Sequence, residues 1–87
     1  MQIKKGLILR KIADVHVVVP TGESNIDFNG IITLNDTAAF LFQQLLLETT
    51  KAALLAKLLE EYEVDEKKAQ VDIDTFCAQL EEANLIA

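Results

Sequence analysis

Side chains that could do chemistry are few in this sequence, and they stand apart from one another. His16 is the only histidine and Cys77 the only cysteine, so neither has a second histidine or cysteine at the spacing of a metal site. We interpret His16 as a surface-facing strand residue and Cys77 as a small buried hydrophobe within a helical pattern. The only serine, Ser24, lies in a predicted turn before any helix, which argues against an acyl or peptidyl carrier protein.

A cluster of carboxylates is the other candidate for chemistry, because it could be taken for a cation site. It lacks the alternating ligand spacing and the central glycine of a calcium loop, so we interpret it as a solvated acidic turn between two helices. We therefore expect no catalytic residue, no metal and no cofactor. The cluster consists of Glu60, Glu61, Glu63, Asp65 and Glu66.

Composition narrows the classes of partner. With 87 residues, 51% hydrophobic and 25% charged, the chain should fold as one domain over residues 1–87. A formal charge of -6 disfavours nucleic acid, whose binding energy comes largely from neutralising phosphates. No apolar run is long enough for a signal peptide or a membrane helix, because Arg10 and Lys11 interrupt the first one, so we expect a cytoplasmic protein with no membrane partner.

The first third of the chain predicts three short strands. Residues 7–12 and 15–19 are rich in β-branched and aliphatic side chains, and the two residues between them are short enough for a hairpin. Pro20 lacks a backbone donor and should end the second strand. Turn-forming residues at 21–25 and 29–30 then place the last strand at residues 31–34.

Everything after residue 34 has helical period, with three start signals and one stop signal. Asn35, Thr50 and Asp65 can each cap a helix, and Asn84 can take the left-handed position that closes the third one. The apolar stripes predicted to face inward are Ala38, Leu41, Phe42 and Leu45 in the first helix; Leu54, Leu55, Leu58, Leu59 and Tyr62 in the second; and Ala69, Ile73, Phe76, Cys77 and Leu80 in the third.

This order of elements predicts an α+β domain, a three-stranded antiparallel sheet followed by three helices, similar to a winged helix-turn-helix. Three strands cannot close a barrel, so an edge of the sheet keeps backbone N–H and C=O groups free to pair with another extended segment. The sequence therefore predicts a peptide binder and not an enzyme. A DNA-binding helix-turn-helix is disfavoured, because acidic residues outnumber Lys67 and Lys68 on the third helix.

Residues 34–42, Leu-Asn-Asp-Thr-Ala-Ala-Phe-Leu-Phe, resemble the signature of the PqqD-like family, in which a Leu-Asn pair, a threonine, a small residue and an aliphatic-aromatic pair follow the last strand. Segments at 18–20, 28–30, 58–65 and 69–76 look like further parts of that family, so the resemblance covers nearly the whole chain. Two positions depart from the family pattern. Phe42 stands where tryptophan is frequent, and Asn84 stands where glycine is usual.

The resemblance implies a peptide chaperone, a recognition element that holds the leader segment of a ribosomally made, post-translationally modified precursor and presents its core to a modifying enzyme. In the family that enzyme is often a radical S-adenosylmethionine protein, and the founding case serves pyrroloquinoline quinone biosynthesis. The leader is bound there as an antiparallel strand beside the third strand, with its side chains against the third helix. The alternative is a small dimerisation module, because the same edge can pair with a second copy.

The candidate binding residues lie on two elements. On the third helix, spacings of three and four place the candidates along one flank of the buried stripe, although the opposite flank, Gln70, Asp74, Cys77 and Glu81, is an open alternative at this stage. For Leu34 and Phe76 core packing competes with a binding role, and for Asp72 a solvated position competes with contact to a basic leader residue. The candidates are Ile31, Ile32, Thr33 and Leu34 on the strand, and Asp72, Thr75, Phe76 and Gln79 on the helix.

Overall fold

The computed structural model describes residues 1–20 and 32–86 and contains the predicted order of elements. An antiparallel sheet in the order β1-β2-β3 is followed by three helices, which confirms the α+β class. The winged helix-turn-helix likeness stays a prediction, and the turns predicted at 21–25 and 29–30 lie outside the described residues. The elements are β1 (Leu7–Ile12), β2 (Val15–Pro20), β3 (Ile32–Leu34), α1 (Asp36–Gln44), α2 (Lys51–Glu61) and α3 (Glu66–Glu82).

The first two strands form the predicted hairpin. Their register pairs Ile12 with Val15 at the turn and Leu7 with Pro20 at the far end, so Ala13 and Asp14 alone make the connection. Ala13 has a φ of 56°, which is the left-handed backbone that a two-residue turn needs to match the twist of its strands. The central strand β2 also pairs with β3, which makes β1 and β3 the two borders of this sheet.

All three predicted helix caps are present. The side-chain oxygen of Asn35 accepts a hydrogen bond from the Ala38 N–H at 2.8 Å, which satisfies one of the donors left free at the start of α1. Thr50 caps α2 in the same way at 3.1 Å, and Asp65 caps α3 by accepting from the Lys68 N–H at 3.3 Å. No helix in the described part of the chain is long and apolar enough to cross a membrane.

One core lies between the sheet and the helices. It contains the predicted stripe of α3 in full, and most of the stripes of α1 and α2. One predicted member is wrong, because Leu59 is 37% exposed. The fully buried line of α2 runs through Leu54 and Leu58, and Leu59 lies about 100° further round the helix, beyond the surface that the neighbouring elements cover.

The third helix ends at the predicted residue. Asn84 has a φ of 60°, the Asn84 N–H donates to the Glu81 carbonyl at 3.0 Å, and the Leu85 N–H donates to the Leu80 carbonyl at 2.8 Å. These two bonds are those of a Schellman motif, and they turn the fully buried Leu85 into the core. The Leu85 carbonyl accepts from the Lys4 N–H, and Ile86 bridges to Ile3, so the described residues after α3 pair with the N-terminal segment.

Replacing Asn84 should test this closure. Asn84→Ala places a β-carbon without local hydrogen bonding in the left-handed region, and we expect it to lower the free energy of unfolding by about 1 kcal/mol, whereas Asn84→Gly should retain stability. Urea unfolding followed by circular dichroism measures the change. Glu82→Ala is the matched control, because it truncates an exposed residue that lies within the helix, and equal losses in both alanine variants would contradict the motif.

Candidate functional site

The outer side of β3 is a border of the described sheet. On its inner side Ile32, Thr33 and Leu34 pair with Val18, Val17 and His16 of β2, and within residues 1–20 and 32–86 no other strand pairs with β3. In an antiparallel strand alternate N–H and C=O groups point to opposite sides, so part of the β3 backbone is directed away from β2. The predicted edge residue Ile31 lies outside the described residues.

The side chains of β3 are divided between core and solvent. Leu34 is buried and Ile32 packs against the core, while Thr33 is exposed on the opposite face. Leu34 is therefore a packing residue of the core, which is one of the two roles that the sequence allowed for it. A segment that paired with this border would contact the backbone of β3, and among these three side chains Thr33 is the exposed one.

A hydrogen bond joins β2 to the start of α1 beside this border. His16 Nε2 and Asp36 Oδ1 are 2.9 Å apart, and the His16 side chain is only 20% exposed. His16 was predicted to be a surface-facing strand residue, and in the structure it instead links the central strand to the first turn of α1. Because His16 also pairs with Leu34, the link holds the end of β3 and the beginning of α1 together.

A cavity of about 290 Å³ opens where the start of α1 faces α3. All four candidate residues of α3 line it, so the structure brings them together on one wall. None of the described β3 residues lines it, and Asn35, which follows Leu34 directly, is its member nearest to β3 along the chain. We call this cavity the α1–α3 groove; it is lined by Asn35, Thr37, Ala38, Leu41, Lys68, Asp72, Thr75, Phe76 and Gln79.

The α1–α3 groove has an apolar floor and a polar rim. Leu41 and Phe76 are buried members of the core, so Phe76 is both a packing residue and a groove residue. At the rim Lys68 Nζ lies 3.3 Å from Asp72 Oδ2, one turn apart on α3, and Thr75 and Gln79 are exposed. The groove could bind an aliphatic or aromatic side chain at its floor and polar groups at its rim.

Sequence reasoning missed the α1 wall of this groove and also Lys68. The spacings from Asp72 to Thr75 to Gln79 could have been extended backwards by four residues to Lys68. For the α1 residues no sequence signal was available, because their contribution depends on how two helices that are distant along the chain face each other.

The opposite flank of α3, left open by the sequence, faces α2. Asp74 Oδ1 lies 3.4 Å from Lys51 Nζ at the start of α2 and accepts a hydrogen bond from Gln70 at 3.2 Å. Cys77 is buried beside them in the core. Gln70, Asp74 and Cys77 of this flank therefore make contacts within the domain, whereas the candidate flank lines the groove.

Metal-binding and nucleophilic side chains are the remaining candidates for chemistry. Within the described residues no group of three histidine, cysteine, aspartate or glutamate side chains is close enough to hold a metal ion. Burial raises the pKa of the Cys77 thiol, the carboxylates of Glu81 and Asp74 add to the rise, and the Lys51 ammonium opposes it. A neutral buried thiol is a poor nucleophile.

The sequence model of the family described as Coenzyme PQQ synthesis protein D (PqqD) matches residues 16–86. This chain belongs to the PqqD family. The match spans β2 to the end of the described chain and so includes the β3 border and both walls of the groove. No curated protein sequence matches this PqqD-family chain.

Two solved structures share the fold of this PqqD-family chain. One, titled "TbiB1 in Complex with the TbiA(beta) Leader Peptide", aligns with a TM-score of 0.74 at 18% identity and covers 98% of this chain and 93% of that one. The other, titled "Lasso peptide synthetase B1 complexed with the leader peptide", aligns with a TM-score of 0.71 at 25% identity and covers 97% and 93%. Both relatives were therefore solved with a leader peptide bound.

The raised pKa of Cys77 predicts a dependence of stability on pH. Above the ordinary thiol pKa of about 8.5 the unfolded chain loses the thiol proton while the folded chain keeps it, so the free energy of unfolding should fall as the pH rises from there towards the folded pKa. Urea unfolding between pH 7 and 10 measures this slope. Cys77→Ala is the control that lacks the group, and an identical slope in that variant would contradict the assignment.

Proposed function

We propose that this chain is a non-catalytic adaptor that binds the leader segment of a ribosomally made precursor peptide and presents it to a modifying enzyme. The observation that carries the proposal is the β3 border beside the α1–α3 groove, in a PqqD-family chain whose structural relatives hold leader peptides. Strand addition at β3 is the proposed mode of binding, and its proposed contacts are Ile31, Ile32, Thr33, Leu34, Asp72, Thr75, Phe76 and Gln79.

The border and the groove would contribute different amounts to the free energy of leader binding. A three-residue border directs the N–H and C=O groups of only one or two residues outward, so it offers about two to four hydrogen bonds, which at a net ~1 kcal/mol each supply about 2 to 4 kcal/mol. Micromolar binding requires about 8 kcal/mol after the cost of ordering the guest. Guest side chains that bury apolar area in the groove at roughly 25 cal/mol per Å² must supply the rest. The border would set register and direction, while the groove would supply most of the affinity and the choice of sequence.

The charged side chains at the rim of the groove could exchange their present partners for groups of a bound leader. Lys68 and Asp72 form an exposed pair one turn apart, and such pairs contribute at most about 1 kcal/mol. A basic guest side chain could therefore replace Lys68 as the partner of Asp72 at little cost. This supports the contact between Asp72 and a basic leader residue that the sequence left open.

The proposal includes a partner and a location. Family membership makes a radical S-adenosylmethionine enzyme the proposed recipient of the presented peptide, since such enzymes are frequent partners in PqqD-like systems. The chain itself would contribute binding and no bond-breaking chemistry, in keeping with a buried neutral thiol at Cys77. The adaptor would act in the cytoplasm, where ribosomes make the precursor.

Backbone amide exchange should detect strand addition directly. On addition of a synthetic leader peptide, we expect the outward-facing amides among Ile32, Thr33 and Leu34 to exchange at least about tenfold more slowly, because an added strand gives them acceptors. Exchange followed by nuclear magnetic resonance measures each amide separately. The amides of β1, at the other border of the sheet, are the internal control.

Two outcomes of the exchange experiment would contradict strand addition. The leader could bind with no protection at β3, or β1 and β3 could be protected equally. Ile32→Pro, which removes a donor from the border strand, should weaken leader binding while leaving the helical circular dichroism signal largely intact. If β3 is protected in the free protein in a concentration-dependent way, and sedimentation shows a dimer, the dimerisation alternative replaces the adaptor.

Filling the groove should show how much the groove contributes to leader affinity independently of the border. Thr75→Trp adds bulk to an exposed lining residue, and we expect the leader dissociation constant to rise at least about tenfold because guest side chains lose their space. Fluorescence anisotropy with a labelled leader measures the constant. Ala78→Trp is the matched control, since Ala78 is exposed on the same helix but does not line the groove. Equal affinities in the two variants would contradict a groove-bound leader.

A further inference from the structure

A second surface of the domain combines exposed apolar side chains with positive charge. Alternation along the strands puts it on the face of the β1–β2 hairpin that points away from the buried Leu7 and Val18. Most of it lies on the border strand β1, and the rest lies at the end of β2, outside the residues that pair with β3. We define this surface, the hairpin strip, as Ile8, Arg10, Ile12 and Val15; Lys11 is exposed on the same strand but alternates to the opposite face.

The apolar members of the hairpin strip are exposed as a group. Ile12 is 57% exposed, Val15 42% and Ile8 36%. The register places Ile12 directly opposite Val15, and Arg10 lies between the two isoleucines on the same face. Val17, directly opposite Arg10 on this face, is buried, so the exposed apolar residues flank Arg10 along β1 and at the turn. Single exposed apolar residues are ordinary on protein surfaces, but several neighbours on one face form a patch of the kind found at protein interfaces.

Charge is divided between the first 20 residues, which end with the β1–β2 hairpin, and the rest of the chain. The first 20 residues contain four of the eight lysines and arginines and one of the fourteen acidic residues, for a formal charge of +3. The other 67 residues contain four basic and thirteen acidic residues, for a formal charge of -9. The hairpin itself, residues 7–20, contains Arg10, Lys11 and Asp14, for a formal charge of +1. An acidic partner would therefore be repelled by most of the domain and attracted towards the N-terminal segment and β1, which orients its approach.

We propose that the hairpin strip docks an acidic, partly apolar surface of the modifying enzyme while the leader occupies β3 and the groove. This inference rests on the proposed adaptor function, because it gives the adaptor separate surfaces for its two partners. A second copy of this chain is a less favourable partner for the strip than the enzyme, because pairing β1 with β1 would bring two positively charged strips together.

The size of the strip fits a transient contact. A six-residue strand is about 20 Å long, and a two-stranded face of that length is smaller than the ~800 Å² that each partner buries in a stable complex. Binding should therefore be weak, dependent on salt and readily reversed. An adaptor that delivers one peptide after another requires such a contact.

Charge reversal on β1 provides the test. The double variant Arg10→Glu with Lys11→Glu is compared with Lys57→Glu with Lys67→Glu, which changes the formal charge equally at exposed positions on α2 and α3. The probe is the purified modifying enzyme encoded with the precursor peptide, and biolayer interferometry at 50 and 300 mM salt measures its affinity. We expect the hairpin variant to bind at least about tenfold more weakly at 50 mM salt, and the control within about twofold of the unaltered protein.

Ile12→Ser provides a second test that keeps the charge unchanged. We expect it to weaken enzyme binding several-fold at both salt concentrations, because it removes apolar area, while Leu47→Ser, at an exposed residue between α1 and α2, should have no effect. Circular dichroism confirms that each variant is folded. Together the two substitutions separate the electrostatic part of docking from the apolar part.

Leader affinity, measured on the same samples, distinguishes this inference from the proposed function. Unaltered leader binding in the hairpin variants together with weakened enzyme binding supports the strip. Unchanged enzyme binding, or equal weakening in the control variant, overturns the strip and leaves the adaptor function standing. Failure of the unaltered protein to bind leader overturns the adaptor function itself. Charge-dependent binding to phosphatidylglycerol vesicles but not to the enzyme would make a membrane surface the occupant and overturn the proposal.

Discussion

The junction at Asn35 is the constraint on which the rest of the structure depends. Leu34 anchors the end of β3 in the core, and the next residue caps α1 through its side chain, so strand and helix meet without a linker. The bond between His16 and Asp36 adds a link from β2 across the same junction. Because the first turn of α1 also forms one wall of the groove, the β3 border and the groove have a fixed relative position.

The core reaches the groove without leaving polar groups buried. Within the described residues no buried side-chain nitrogen or oxygen lacks a hydrogen-bond partner, and the residues of the buried core are all apolar. Leu41 and Phe76 thus stabilise the domain and also form the floor that a guest would contact. In a chain of 87 residues few apolar side chains can be spared from the core, so a shallow groove floored by core residues is what a small domain can provide.

The sequence predicted those features that depend on residues close together along the chain. The caps at Asn35, Thr50 and Asp65 and the left-handed Asn84 involve hydrogen bonds within a few residues, so residue type and spacing suffice to identify them. Features that depend on distant residues were missed. The α1 wall of the groove, the His16–Asp36 bond across twenty positions and the exposure of Leu59 all follow from how packed elements face one another. The sequence could not predict which flank of α3 lines the groove for the same reason, since this depends on how α3 packs against α1 and α2.

The order of the strands suits the two partners proposed above for this chain. With β2 in the centre, the borders at β1 and β3 are about 10 Å apart, and each can be approached without crossing the other. Val18, the most buried residue of β2, fixes the central strand to the core, so binding at one border need not distort the other. A leader held at one border and an enzyme held at the other would meet at a high effective concentration, which raises the rate of modification even when each contact is weak. Weak contacts at both borders are then an advantage, because they release the processed peptide.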